Sequence, residues 1–422
     1  MILSYFGKKL VQLHSDHVGH MYSNRAFFNE VFFPVIYEED PPLNRFAHNS
    51  KFRYAKTRQE GLINFHEALQ VKKEFHTGTI FGYPAIEPEA TTAGQVTSLH
   101  IPVNEEDAYA SWIGDALAIE VERGISIIID HPLILQWIHE GWKEYREFLK
   151  QTPKLAGQQI RKWNAYYLVH KIKNNSITQE LEFSEKDGSL TPLSWSRFII
   201  LLARILPAQT LMCYAYGLDK SGNTTIGFIP IHLPKIHKLY KAYNEIFSNI
   251  AELKYDALEK IVTQFEFRTV CKRGYIGLHS LEPKGIDQFI SSTQLPDKNK
   301  KYHNPIHLYH IWIIAMLEDQ KLLELSKQVA QNLNSFVQKA TQGSNTNTRI
   351  QVVKDVLASG SKQKLISNLT LILESEPNMY LELNKLIELT LKQTSEQLRL
   401  LLVLIKFHYV GISKSPQPDL FN

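Results

Sequence analysis

Leu135, Ile138, Trp142, Tyr145 and Leu149 recur at steps of three and four, while Lys143, Glu144, Arg146 and Glu147 fall mostly off that stripe. One apolar stripe of this period predicts a helix over 132–149, and Pro132 suits its first turn. Two apolar runs precede it, Ser111–Ile119 and Gly124–Asp130. Trp112, Trp137 and Trp142 stand close together and Trp163 follows. Large aromatic rings bury much area per residue, so this density predicts a core. The expectation is one packed unit: two apolar segments, a long helix and a basic loop.

The pattern elsewhere is read in chain order. Met1–Val35 alternates short apolar pieces with His, Asn and Arg, and no element is assigned there. Asp40-Pro41-Pro42 breaks the chain within a loop. Gln59–Lys73 is expected to be helical, and the stretch 75–97, rich in Gly, Pro and Thr, reads as loops between short strands. A helix is expected over Gln158–Asn174 and a hairpin over Ile177–Leu193, turning at Asp187-Gly188. An apolar helix over Ser194–Leu206 leads to strands at Thr210–Tyr216 and Thr224–Ile231, then a helix over Lys235–Glu252.

Beyond Pro305 the expected segments are helical: Ile306–Ala340, Arg349–Leu357, Lys362–Leu373, Met379–Leu391 and Ser395–Tyr409. Gln342–Thr348 reads as a flexible linker. The fold class is therefore α+β: a mixed domain over 1–305 and an all-helical bundle over 306–422.

Charge changes this picture more than composition does. The net charge is only +4, but residues 45–73 carry +5, residues 150–173 carry +6 and residues 268–301 carry +4. Basic islands in an otherwise acidic chain fit a phosphate-binding surface, or lysines and arginines that merely solvate loops. Phosphate contacts are expected from Lys51, Arg53, Lys56 and Arg58, from Lys154, Arg161 and Lys162, and from Lys272 and Arg273. Asn49 and the loop residues Thr91, Thr92, Gln95, Thr97 and Ser98 carry short amides or hydroxyls, and Gly94 leaves room for close backbone approach. An ordinary connection is the plainer reading of that loop.

Catalytic signals are sparse. Cys213 and Cys271 form no CxxC pair, so no cysteine zinc site is expected. His14, His17 and His20 recur every third residue, and His303, His307 and His310 lie near Pro305. Asp16 is the one carboxylate partner of the first set, and the spacing of His307 and His310 suits a metal pair, but the plainer reading is no metal in the first case and a capped, wetted helix start in the second. No phosphate-binding glycine loop, nucleophile elbow or HExxH occurs. No metal or cofactor is expected, nor a catalytic role. The N-terminus lacks the pattern of a signal peptide and the apolar runs are too short to span a membrane, so a reducing cytoplasm is the expected location.

Four segments carry a resemblance. They are Ser111–Leu149, Gln159-Ile160-x-x-Trp163-Asn164, Pro207-x-Gln209-Thr210-Leu211 and Asn223–Pro230, and Asn29–Pro34 adds to them. Together they resemble the large subunit of type I CRISPR surveillance complexes (Cascade), in the branch of subtypes A and B and the myxobacterial-type variant. The resemblance covers most of residues 25–250. It implies a non-catalytic subunit beside the 5′ handle of a guide RNA. The N-terminal part would read a short protospacer-adjacent motif in double-stranded target DNA and help open the duplex, with base-edge reading or wedging by Asn49, Thr91, Thr92, Gln95, Thr97 and Ser98. The C-terminal bundle would stabilise the R-loop beside the backbone and small subunits. A helicase–nuclease or transposition proteins are further implied partners. Guide pairing would carry most of the sequence specificity. Two other readings stay open: a metal-dependent nucleic-acid-processing enzyme whose acids meet only in the fold, and a helical scaffold that touches no nucleic acid.

Overall fold

The computed structural model describes residues 1–37, 52, 55–76, 78–83, 102–122, 124–152, 159–186, 188–217, 225–247, 267, 271, 281–283, 286, 305–317, 320–340 and 345–414. The architecture is mixed α+β, with one small antiparallel sheet among many helices. Two compact units divide it: residues 1–233 with 265–276, and residues 234–264 with 277–422. The residue 305 chosen from the sequence falls inside the second unit.

The first unit opens with α1 (Ile2–Val18), ended by Gly19 in the left-handed region. Next come α2 (Asn24–Phe27), a π-helical turn (Phe28–Phe32) and α3 (Phe33–Ile36). Pro34 has no N–H to donate back along the helix, and the wide turn lies just before it. Helix α4 (Arg58–Gln70) follows. Helix α5 (Glu105–Ala116) starts in a capping box, in which Asn104 accepts from the Asp107 amide and Asp107 accepts from the Asn104 amide.

Where the sequence reads two apolar runs, the chain completes α5, then forms β1 (Ile119–Glu122) and β2 (Ile125–Ile129). Helix α6 (Pro132–Gln151) buries the expected stripe, and α7 (Ile160–Lys173) and α8 (Trp195–Ile205) lie close to their expected bounds. The expected hairpin before α8 is reduced to a short 3-10 turn (Ile177–Gln179) and one bridge, Phe183 to Leu190. Strands β3 (Thr210–Gly217) and β4 (Thr225–His232) complete the sheet, and α9 (Leu233–Phe247) follows.

Sheet order is β1-β2-β3-β4, antiparallel throughout. The register sets Ile127 opposite Ala215, Ile129 opposite Cys213 and Leu211 opposite Ile231, so one face is a continuous buried layer. Three of the four tryptophans in the opening stretch are core residues. Trp112 meets Phe28, Phe52 and Phe65, Trp142 meets Phe32 and His139, and Trp163 stacks on Phe148. Trp137 differs: it is half-buried under the Lys171 ammonium.

Helices α1 and α5 cross with their backbones in contact. A Cβ on Gly7 would lie 1.9 Å from the Ala110 carbonyl oxygen, and one on Gly114 would lie 1.9 Å from that of Leu3. Ser4 donates across the crossing to the Asp107 carbonyl at 2.8 Å, and Lys8 pairs with the Asp107 carboxylate at 2.6 Å.

In the second unit, α10 (Pro305–Leu317) and α11 (Gln320–Gln338) replace the single helix expected over 306–340. Then come α12 (Asn345–Leu357), α13 (Lys362–Ser375), α14 (Tyr380–Lys392) and α15 (Ser395–Lys414). Asn345–Thr348, taken as linker, form the first turn of α12. Arg349 fixes α12 by donating to the Phe336 carbonyl at 2.7 Å and to Glu376 at 3.1 Å. Among the described residues no helix is long and apolar enough to cross a membrane.

The crossing makes Gly114→Ala costly, because the methyl group would meet backbone rather than a mobile side chain. A loss of about 1–3 kcal/mol or more is expected. Gly360→Ala, with nothing within 4 Å of its Cβ position, should change stability by less than about 0.5 kcal/mol. Denaturant unfolding of both variants checks the difference.

Acid should also destabilise the unit. Burial, with His14 and His17 nearby, pulls His139 down to about 4. Burial, with Arg25 nearby, does the same to His66. The unfolded chain titrates near 6.5, so it takes up protons first. Stability complete above pH 6.5 is therefore lost as pH falls from about 6.5 towards 4. Melting measured across that range should show the decline, and His139→Phe should reduce it.

Candidate nucleic-acid interface

Of the residues expected to touch phosphate or bases, Lys56, Arg58, Arg161 and Lys162 are described. Asn49, Lys51, Arg53, Thr91, Thr92, Gln95, Thr97, Ser98, Lys154, Lys272 and Arg273 lie outside the described residues.

Lys56 and Arg58 flank the N-cap of α4. Thr57 accepts from the Glu60 amide at 3.1 Å, and Glu60 accepts from the Lys56 amide at 2.7 Å. The two bonds fix the start of the helix, and Lys56 stands exposed beside it. The Arg58 guanidinium lies 5.4 Å from the centre of the Phe33 ring, half-buried. Lys72, in the same island, pairs with Glu67 at 3.1 Å.

The island at 150–173 looks different in space than along the chain. Lys150 pairs with Glu147 at 2.8 Å, Lys171 with Glu140 at 2.9 Å and Lys173 with Glu180 at 3.2 Å. Arg161 pairs with Asp115 at 2.5 Å, and that carboxylate is 1% exposed. Carboxylates thus pair with four of the six cations counted in this stretch, Glu147 from the same helix turn as Lys150 and the other three from farther along the chain. Lys162, half-buried, is outside these pairs.

Arg161 is the clearest departure from expectation. Its side chain is 23% exposed and lies over the Tyr216 ring, with 5.7 Å to the ring centre. Tyr216 donates to the other Asp115 oxygen at 2.7 Å. Burial opposes the guanidinium charge, but the Asp115 carboxylate outweighs it and raises the pKa. Burial, then the same carboxylate, pushes the Tyr216 phenol up. Arg161 therefore joins α5, α7 and β3 and is committed to a buried acid rather than to solvent. One turn along, Asn164 donates to the Ala116 and Ala118 carbonyls at 2.7 and 2.8 Å.

A surface that the charge pattern does not mark lies on β3 and β4. Thr210, Met212 and Tyr214 alternate with buried Leu211, Cys213 and Ala215; Phe228, Pro230 and His232 alternate with Ile229 and Ile231. The register places Thr210 opposite His232, Met212 opposite Pro230 and Tyr214 opposite Phe228. Phe228 is 59% exposed and Met212 45%. Over β2 the same face is closed, with Ser126 and Ile128 buried. The sequence signal for this surface is the alternation in the two strands, which a count of Lys and Arg does not register.

Among the described residues no three His, Cys, Asp or Glu side chains gather as metal ligands. His14 instead meets the rings of Tyr22, Phe27 and His139. Comparisons with protein-family models, curated proteins and solved structures find no match to this chain.

The Arg161 pair and its neighbour give opposite expectations. Arg161→Ala leaves Asp115 buried without its cation and should cost about 3 kcal/mol or more. Lys162→Ala should be within about 0.5 kcal/mol of the parent protein. Thermal melting of the two variants separates a structural arginine from a surface lysine.

Proposed function

We propose that this protein is the non-catalytic large subunit of a type I CRISPR RNA-guided DNA-binding complex. It recognises the protospacer-adjacent motif, helps open the duplex and stabilises the R-loop. The observation that carries this reading is where the resembling segments meet. Ser111–Leu149 supplies the second half of α5, the β1–β2 hairpin and α6; Gln159–Asn164 starts α7; Pro207–Leu211 enters β3; and β4 takes up most of Asn223–Pro230. Scattered along the sequence, they belong to one unit, joined by the sheet and by the contacts of Asp115 with Arg161 and Tyr216.

On this reading the protein works in the cytoplasm with guide RNA, double-stranded target DNA and the backbone and small subunits. A helicase–nuclease or transposition proteins act after it. Phosphate contacts fall to Lys51, Arg53, Lys56, Arg58, Lys154, Lys162, Lys272 and Arg273, with Arg161 removed from that set. Base reading or wedging falls to Asn49, Thr91, Thr92, Gln95, Thr97 and Ser98.

The assembled complex should carry a guide RNA able to form a heteroduplex of about 20 bp or more. Its binding to non-target duplex should weaken steeply with salt. Arg53→Ala with Lys56→Ala should reduce the log–log slope by about 0.9 for each lost contact without changing motif preference. RNA-free protein, or binding indifferent to the adjacent motif, sinks the reading. Metal-dependent cleavage by the purified chain puts the enzyme reading in its place.

A further inference from the structure

We infer that the open strip on β3 and β4 is a stacking platform for unpaired nucleobases, with Tyr214 and Phe228 as its rings. The inference rests on the proposed function only for the class of ligand, nucleic acid. Its geometry stands apart from the phosphate-contact residues named above.

The strip offers aromatic surface in a connected run. Tyr214 and Phe228 are cross-strand partners with ring centres 5.4 Å apart, and Tyr214 stacks on Tyr216 at 5.5 Å and 20°. A base can lie on an exposed ring whatever its sequence, because every base has a π-face. Four residues along the same two strands, Thr210 and His232 share a hydrogen bond of 3.1 Å and stay exposed, placing polar groups at one end of the strip.

The charges fit a phosphate-bearing single strand. The strip residues Thr210, Met212, Tyr214, Phe228, Pro230 and His232 include no carboxylate. Where the sheet face closes, the boundary is made by Tyr216 under the Arg161 guanidinium. At that boundary Asp115 is buried and held by Arg161 and Tyr216, and Asp130, whose amide donates to the Met212 carbonyl beside the strip, is paired with Lys9.

A protein strand is the poorer occupant. Among the described residues β4 ends the sheet, but Pro230 takes an N–H away from it. Proline on an edge strand works against strand addition.

The test measures anisotropy of labelled oligo(dT) and oligo(U) of about 20 nucleotides, longer than a single-strand site, with the full-length chain. Phe228→Ala should weaken binding about tenfold, and Phe228→Ala with Tyr214→Ala further. Phe228→Trp should keep it. The salt slope should stay unchanged, because the rings neutralise no phosphate. Phe228 is largely exposed, so its variants should melt like the parent protein. A preference for oligo(dT) or oligo(U) assigns the platform to DNA or RNA. Binding within twofold of the parent for both alanine variants overturns the inference, as does a parent chain that binds neither oligonucleotide. Loss of self-association in Phe228→Ala with binding intact overturns it in favour of a contact between copies. These outcomes leave motif recognition by the assembled complex untouched, so the proposed function is judged separately.

Discussion

The contact that the first unit depends on is the one between the backbones of α1 and α5. At Gly7 and Gly114 there is no room for a methyl group. Close approach on one side leaves α5 to be covered by other elements, and every residue from Ala108 to Ala116 is buried. Its far end carries Asp115, whose two oxygens hold α7 through Arg161 and β3 through Tyr216. One helix thus transmits the position of the N-terminal segment to the sheet. A buried charge so placed is weak evidence of stability in itself, since its desolvation offsets much of the attraction. Its geometry specifies which helix meets which strand.

This arrangement explains what the sequence displays and what it hides. Helix α6 has one buried stripe and one wet face, so its period is plain in the residues. The same holds for α11. Helix α5 is buried all round and therefore lacks a polar face to set its period; its signal was the cap, Asn104 followed by Asp107. Helix α1 conceals itself differently. Gly7 lowers helix propensity, and its lysines look like solvated charge, although Lys8 and Lys9 pair with Asp107 and Asp130.

Charge was the least transferable sequence signal for the candidate interface. Summed along the chain, residues 150–173 form a dense cationic stretch. In the fold, Asp115, Glu140 and Glu180 reach it from outside the stretch, while Glu147 is a helical neighbour of Lys150. Counting by window cannot foresee pairing across such distances. The strip on β3 and β4 shows the reverse case. Its residues are only mildly unusual one by one, and strand pairing turns Tyr214 and Phe228 into neighbours.

Phe267 has a consequence for how the protein is made. It belongs with the first unit, and its ring meets Trp195 of α8 at 5.6 Å, edge to face. Synthesis proceeds from the N-terminus, so Trp195 leaves the ribosome some seventy residues before the side chain that covers it. In the first part of that interval β3 and β4 are added; in the rest the sheet strands are present but Phe267 is not, so the surroundings that leave Trp195 5% exposed are incomplete. The order of translation therefore makes this edge of the first unit the last to be finished.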